Sequence, residues 1–169
     1  MSEQTSREPR WLTDEQSRDW QSVMALLMTL PPALDAQLRR DSGLNSFEYH
    51  ILVRLADRPD GTLGMGELAA HTQGSPSRLS HAVSRLERHG WIERRSGEAR
   101  CVNAHITADG LRKLVEAAPE HVHEVRRLVV DALTPEQLRA LGEAARLVAG
   151  RADPAWIAAL DKRAGRTGC

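Results

Sequence analysis

A chain of 169 residues is long enough for one ordinary domain with extensions. With 23 basic and 23 acidic residues its formal charge is zero, so whole-chain attraction to a polyanion is excluded and any nucleic-acid contact must come from a local patch. No apolar run approaches the roughly 18 residues that span a bilayer, and two cysteines, Cys101 and Cys169, are too few for a disulfide framework.

Residues 1–10 are polar, lack the apolar core of a signal peptide and are expected to be disordered. The expected compartment is the reducing cytoplasm. Thr13 and Gln16 have the spacing of a capping box. Trp20, Val23, Met24, Leu27, Leu30, Leu34 and Leu38 then recur at steps of three and four, predicting a long amphipathic helix that ends near Ser42 and Gly43. Pro31 and Pro32 fall inside it and predict a kink or two abutting helices.

Asn45 or Ser46 can cap a second helix that turns Phe47, Ile51, Leu52 and Leu55 inward and stops at the turn "DRPDG". Thr62 and Leu63 suffice for no more than a token strand. "MGELAAHT" reads as a short helix, and Gln73 and Gly74 as the turn after it. Ser75 then caps another helix, with Pro76 at the first helical position, Leu79, Val83 and Leu86 buried, and Gly90 as its stop. "WIERR" and "CVNAHIT" read as two short strands around "SGEA".

Thr107 or Asp109 starts a further helix through Leu111, Leu114 and Val115, which Pro119 is expected to interrupt. Val122, Val125, Leu128 and Val129 carry the periodicity on. Thr134, Pro135 and Gln137 form a second capping box, ahead of a helix holding Leu138, Leu141, Ala145 and Val148. A last weak helix runs from Pro154 to Lys162.

Helix, short helix, tight turn, capped helix and hairpin make a winged helix-turn-helix. The expected fold is mainly α with a small two-stranded β-wing. The winged domain is assigned to residues 45–106, and a helical dimerisation region to 11–44 and 107–169.

The charge distribution gives this order a chemistry. Residues 74–100 hold six arginines against three glutamates, a local charge of +3 in a neutral chain. Ser77, His81, Ser84, Arg85 and Arg88 share the outward face of the capped helix, without an acid among them. The B-DNA major groove admits one helix whose side chains reach base edges. Ser75 lies at the helix N-terminus, where free amides favour a phosphate. Arg78 and His81 can donate to guanine acceptors, Ser77 and Ser80 suit close contacts, and Arg85 suits a phosphate. Arg94, Arg95 and Arg100 lie on the hairpin, where an arginine can enter the minor groove.

The stretches "GLNSFEYHILVRLADRPDG", "MGELAAHTQGSPSRLSHAVSRLERHGWIERR" and "HITADG" together resemble the MarR family of bacterial transcription regulators, over roughly residues 14–150. The resemblance implies a homodimer whose terminal helices interlock, with two winged domains reading the halves of a palindromic double-stranded operator about one DNA turn apart. It thus implies a sequence-specific regulator, a repressor relieved by a small phenolic or anionic effector. Trp11, Trp20, Val129, Leu133 and Trp156 are surplus to a lone winged domain and fit such a dimer interface, a thicker monomer core being the other account. An acid two residues before the wing arginine commonly orients it in the family, and Glu98 and Arg100 fill those places. His81 stands where arginine is common, which implies DNA affinity that rises as the pH falls.

Trp20, Met24, Met28, His50 and Arg54 are the candidate effector pocket, Arg54 being the natural partner for an anion; ordinary core and surface duty is the alternative for each. Cys101 beside Arg100 is the one candidate redox thiol, with a plain strand cysteine as the alternative. His121 and His123 are two apart and point to different helix faces, a poor metal pair. No catalytic constellation, cofactor motif or metal-ligand spacing is present, so neither an enzyme nor a cofactor is expected. The other functional class left open is a protein-interaction module on a winged-helix fold that has lost DNA binding.

Overall fold

The computed structural model of the chain describes residues 9–72, 74–97 and 102–158. Glu98, Arg100, Cys101, Cys169, Gln73 and most of the N-terminal tail lie outside them. The chain divides into two compact units, residues 1–33 and 34–169.

Helix α1 spans Asp14–Ser42 without interruption. Its start is the expected box: Gln16 N donates to Thr13 Oγ1 at 3.2 Å and Thr13 N to Gln16 Oε1 at 3.0 Å. It is one helix rather than two abutting ones, although Pro31 and Pro32 lie within it. Both prolines are exposed, as is Leu27, whose carbonyl loses its partner to Pro31, so water can take up the missing bond. Trp20, Leu27 and Met28 are exposed on the first unit, and Trp11 is 82% exposed.

Within the second unit, α2 (Ser46–Ala56) is capped by Asn45, and its reciprocal partner Glu48 completes the box. Then follow β1 (Thr62–Gly64), α3 (Met65–Thr72) and α4 (Pro76–Arg88). The hairpin strands are β2 (Ile92–Ser96) and β3 (Val102–Ile106). The sheet has three strands in the order β1-β3-β2, all antiparallel: the expected two-stranded wing, β2 and β3, with the token strand β1 added. The token strand pairs Thr62 with His105 and Leu63 with Ala104, so it closes the free edge of β3.

Helix α5 spans Ala108–Val125 and passes through Pro119, which was expected to interrupt it. The reason is the same as in α1: Pro119 and Val115, whose carbonyl it deprives, both face solvent. A π-helical turn, Arg126–Val130, follows directly. Helix α6 (Pro135–Ala152) begins at the Thr134–Gln137 capping box. Residues 154–158 are helical as well.

The core joins Leu38 and Leu44 to Ile51, Leu52 and Leu55 of α2, Leu68 of α3, and Leu79, Val83 and Leu86 of α4. Ile92, Ala104 and Ile106 close it from the sheet. Burying each of these large aliphatic side chains contributes about 1.5–3 kcal/mol, so α4 is held chiefly by its apolar stripe. None of the described residues of α6 is buried. Leu147 and Val148 of that helix are largely exposed. No described helix is long and apolar enough to cross a membrane.

Candidate nucleic-acid interface

Helix α4 is set by its first turn. Ser75 has extended backbone geometry, and its Oγ accepts from Arg78 N at 3.2 Å, which satisfies one of the helix's free amides. Pro76 takes the position where a missing N–H removes no bond. With Leu79, Val83 and Leu86 turned inward at steps of four and three, Ser77, Arg78, Ser80, His81 and Arg88 are left exposed. The first turn carries no acid. The side chains of His81 and Arg88 make no ion pair or hydrogen bond among the described residues, so their donors face solvent.

Arg78 lies against α2. Its guanidinium carbon is 4.3 Å from the centroid of the Phe47 ring, a cation–π contact that restricts where the side chain can reach. The same ring explains Gly74: a β-carbon there would lie 2.4 Å from Phe47 Cζ. The turn before α4 therefore needs a glycine for space, with Phe47 filling the place a side chain would take.

Three residues expected on the interface are occupied internally. Arg85 Nε lies 3.1 Å from Glu48 Oε1, and its Nη2 donates to the Gly43 carbonyl at 3.0 Å. Arg94 pairs through Nη1 with Glu87 Oε2, while its Nη2 donates to Ser84 Oγ at 3.0 Å and to the Ser80 carbonyl at 3.3 Å. The Arg94 backbone amide also donates to Glu87 Oε1 at 3.2 Å. In this arrangement Arg85 fastens α4 to the α1–α2 corner, and Arg94 and Ser84 fasten β2 to α4. In this structure the two arginines expected to meet phosphate and the minor groove are engaged by protein partners. Residue spacing placed Ser84 and Arg85 on a polar helix face and Arg94 on the hairpin but could not show which partner each would meet.

Arg95 pairs with Glu93, and both are about half exposed. Such a pair is weak in water and exchanges readily, so Arg95 remains able to turn to an anion. Glu98 and Arg100, the expected wing pair, are outside the described residues.

The expected effector residues fall on two units. Trp20, Met24 and Met28 belong to residues 1–33, and His50 and Arg54 to residues 34–169. Arg54 sits over the Trp156 ring at 5.5 Å, so the cation proposed for an anionic ligand already faces an aromatic side chain. His50 is exposed on the same helix.

Behind the interface, α1, α2 and α5 share a polar cluster. His121 Nδ1 is 3.0 Å from Gln37 Oε1, and Gln37 Nε2 donates to Asp41 Oδ2 at 3.0 Å. Because Oε1 can only accept, Nδ1 carries the proton. Burial holds the His121 imidazole below its ordinary range and pushes the adjacent Tyr49 phenol up. Burial also acts to raise Asp35, but hydrogen bonds from Arg39 and the Ser46 amide outweigh it and hold that carboxyl below the usual range.

The MarR family's sequence profile matches residues 44–99, from the α1–α2 corner to the hairpin tip. The crystal structure of Sco3205 from Streptomyces coelicolor, a MarR family transcriptional regulator in complex with DNA, is 44% identical and superposes with a TM-score of 0.83. That match covers 88% of this chain and 94% of the other. AbsC, a MarR family transcriptional regulator from the same organism, is 34% identical over 85% of this chain and 97% of its own, with a TM-score of 0.79. BldR, a transcriptional regulator from Sulfolobus solfataricus, is 21% identical over 82% of this chain and 96% of its own, with a TM-score of 0.69, and shares the fold. Among curated proteins, none matches the chain.

Proposed function

The chain belongs to the MarR family, and from that premise we propose that it is a dimeric, sequence-specific DNA-binding regulator of transcription. The observation that carries this reading is the outward face of the first half of α4. There Ser77, Arg78, Ser80 and His81 are exposed on a capped helix whose first turn holds no acid. Such a face presents donors to base edges and phosphates and repels neither. The free amides at the helix start add an anion-favouring field. The DNA-bound state of the 44% identical Sco3205 supports the same use of the fold.

In this reading Arg78 and His81 read bases, Ser75, Ser77 and Ser80 hold the backbone, and Arg95 with Arg100 serves the wing. Two copies pair through α1, α5 and α6, whose exposed Trp20, Val122, Leu147 and Val148, with Trp11 just before α1, supply apolar surface for the purpose. Residues 11–44 and 107–169 thus form the dimerisation region and 45–106 the reader, working on a palindromic operator in the cytoplasm of a bacterium. The regulator acts as a repressor that a small phenolic or anionic molecule releases, with Arg54 as the cation for an anionic ligand.

The second reading is a winged-helix module that binds protein instead. The pairing of Arg85 and Arg94 with Glu48 and Glu87 favours it, because it neutralises two cationic groups beside the outward face of α4. Fluorescence anisotropy on duplex DNA from upstream of the protein's own gene separates the two. The regulator binds with steep salt dependence, and Arg78→Ala/His81→Ala abolishes its preference for the palindrome. Weak binding without sequence preference, unchanged in the double variant, overturns the regulator.

A further inference from the structure

A glutamate that completes a capping box ordinarily sits at a helix surface, but Glu48 is 2% exposed. Its Oε2 accepts from Asn45 N at 3.0 Å, and Asn45 Oδ1 accepts from Glu48 N at 2.9 Å. A carboxylate this deep needs a counter-charge, because desolvation penalises it heavily when alone. The charge comes from α4: Arg85 Nε, 3.1 Å from Glu48 Oε1. The same guanidinium closes over the corner through Gly43 O at 3.0 Å. From the other side, Asp35 Oδ1 of α1 accepts from Ser46 N at 2.8 Å, at the first turn of α2. The end of α1, the start of α2 and the middle of α4 are therefore one hydrogen-bonded unit. Gly43, with φ of 71°, makes the tight corner that brings its carbonyl to Arg85.

We propose that Arg85 is a positioning residue, which acts through Glu48 to hold α4 against the α1–α2 corner and so sets the angle at which α4 meets DNA. This rests on the DNA-reading function proposed above. Two features separate a brace from a phosphate ligand. Nε and one terminal nitrogen of Arg85 are directed inward, and its partner is a buried acid that no DNA backbone can reach. A displacement of the α1–α2 corner is passed to α4 through this contact.

The test compares Glu48→Gln, Arg85→Gln and the double variant with wild type. Glutamine can keep the acceptor for Asn45 N, so Glu48→Gln removes the buried charge together with the oxygen that faces Arg85 Nε. Binding to the palindrome and to a random duplex is followed by anisotropy over a salt series. Amide hydrogen exchange over residues 79–86 is followed in the free protein, and thermal melts establish that each variant is folded.

A brace predicts that both single variants lose about tenfold in affinity for the palindrome, and that the double variant loses no more than the worse single. Random-duplex affinity and the salt slope stay as in wild type, and exchange in α4 quickens in both singles. A phosphate ligand predicts the opposite pattern. Arg85→Gln then weakens every duplex alike and lowers the salt slope by about one, while Glu48→Gln changes nothing; that result overturns the proposal. If wild type discriminates no duplex, the DNA reading fails, and the exchange data alone decide the brace: unchanged protection of α4 in both singles rejects it.

Discussion

A β-carbon on Gly110 would lie 2.0 Å from the carbonyl oxygen of Trp91. The first turn of α5 therefore rests directly on the backbone that enters β2. The contact is reinforced by Thr107, whose amide donates to that same carbonyl at 3.1 Å. Its hydroxyl donates to Gly90 O at 2.6 Å and accepts from Gly110 N at 3.0 Å. Because the obstacle is main chain, no side-chain rotation relieves it. Gly110→Ala is expected to destabilise the fold by about 2–3 kcal/mol, read as a lower urea midpoint at unchanged slope. A midpoint equal to wild type would show that α5 can step away from the wing freely.

Ser75 combines a structural duty with a proposed one, and two substitutions pull them apart. Ser75→Ala removes the cap of α4 and should cost about 1 kcal/mol of stability. Ser75→Asp retains a capping oxygen and should melt within a degree or two of wild type, at about 1 kcal/mol per several degrees. Its carboxylate would repel a phosphate at the helix start, so it should bind the palindrome far more weakly than Ser75→Ala. Equal DNA affinities for the two variants would remove this end of α4 from the interface.

His121 predicts a pH dependence of stability. In the unfolded chain its imidazole titrates near 6.5, and burial against Gln37 and Tyr49 holds the folded one lower. As the pH falls, the unfolded state takes up the proton first. Stability that is complete above 6.5 is then lost progressively until the pH passes below the lowered folded value. Urea midpoints from pH 8 to pH 5 should decline in wild type and decline less in His121→Asn. Parallel profiles would assign the decline to other groups.

The stacking of Arg54 on Trp156 makes a spectroscopic prediction about effectors. A small aromatic carboxylate that engages Arg54 must displace or share the indole. Benzoate is expected to change the tryptophan emission of wild type and to do so neither in Arg54→Gln nor in Trp156→Phe. A response that persists in Trp156→Phe would place the ligand elsewhere.

What the sequence revealed of this fold was whatever is decided locally. The caps at Thr13, Asn45, Ser75, Thr107 and Thr134 each depend on residues within one turn. The stripe of Leu79, Val83 and Leu86 follows from helical period alone. What stayed hidden depends on distant partners. β1 is three residues long and exists because β3 offers it a register, Thr62 opposite His105. Arg85 and Arg94 share with Arg88 the residue type and polar surroundings of a DNA contact. Only the packing of α2 and β2 against α4 brings Glu48, Ser84 and Glu87 to the first two. The glycine of "HITADG" was visible, but the carbonyl it must clear belongs to Trp91. Pro119 misled because its cost depends on whether the carbonyl it orphans, that of Val115, faces water.

The clamp of Arg94 on Glu87 also bears on how such a protein would search a genome. Long-range pull toward DNA grows with unbalanced cationic charge, and here part of that charge is cancelled within the domain in a chain that is neutral overall. A reader built this way lingers briefly on random sequence, because non-specific residence is almost wholly electrostatic. It spends more of its time in free diffusion and less in sliding along the duplex. Its hold on an operator then owes more to the fit of α4 than to attraction at a distance, so occupancy should respond sharply to changes in α4.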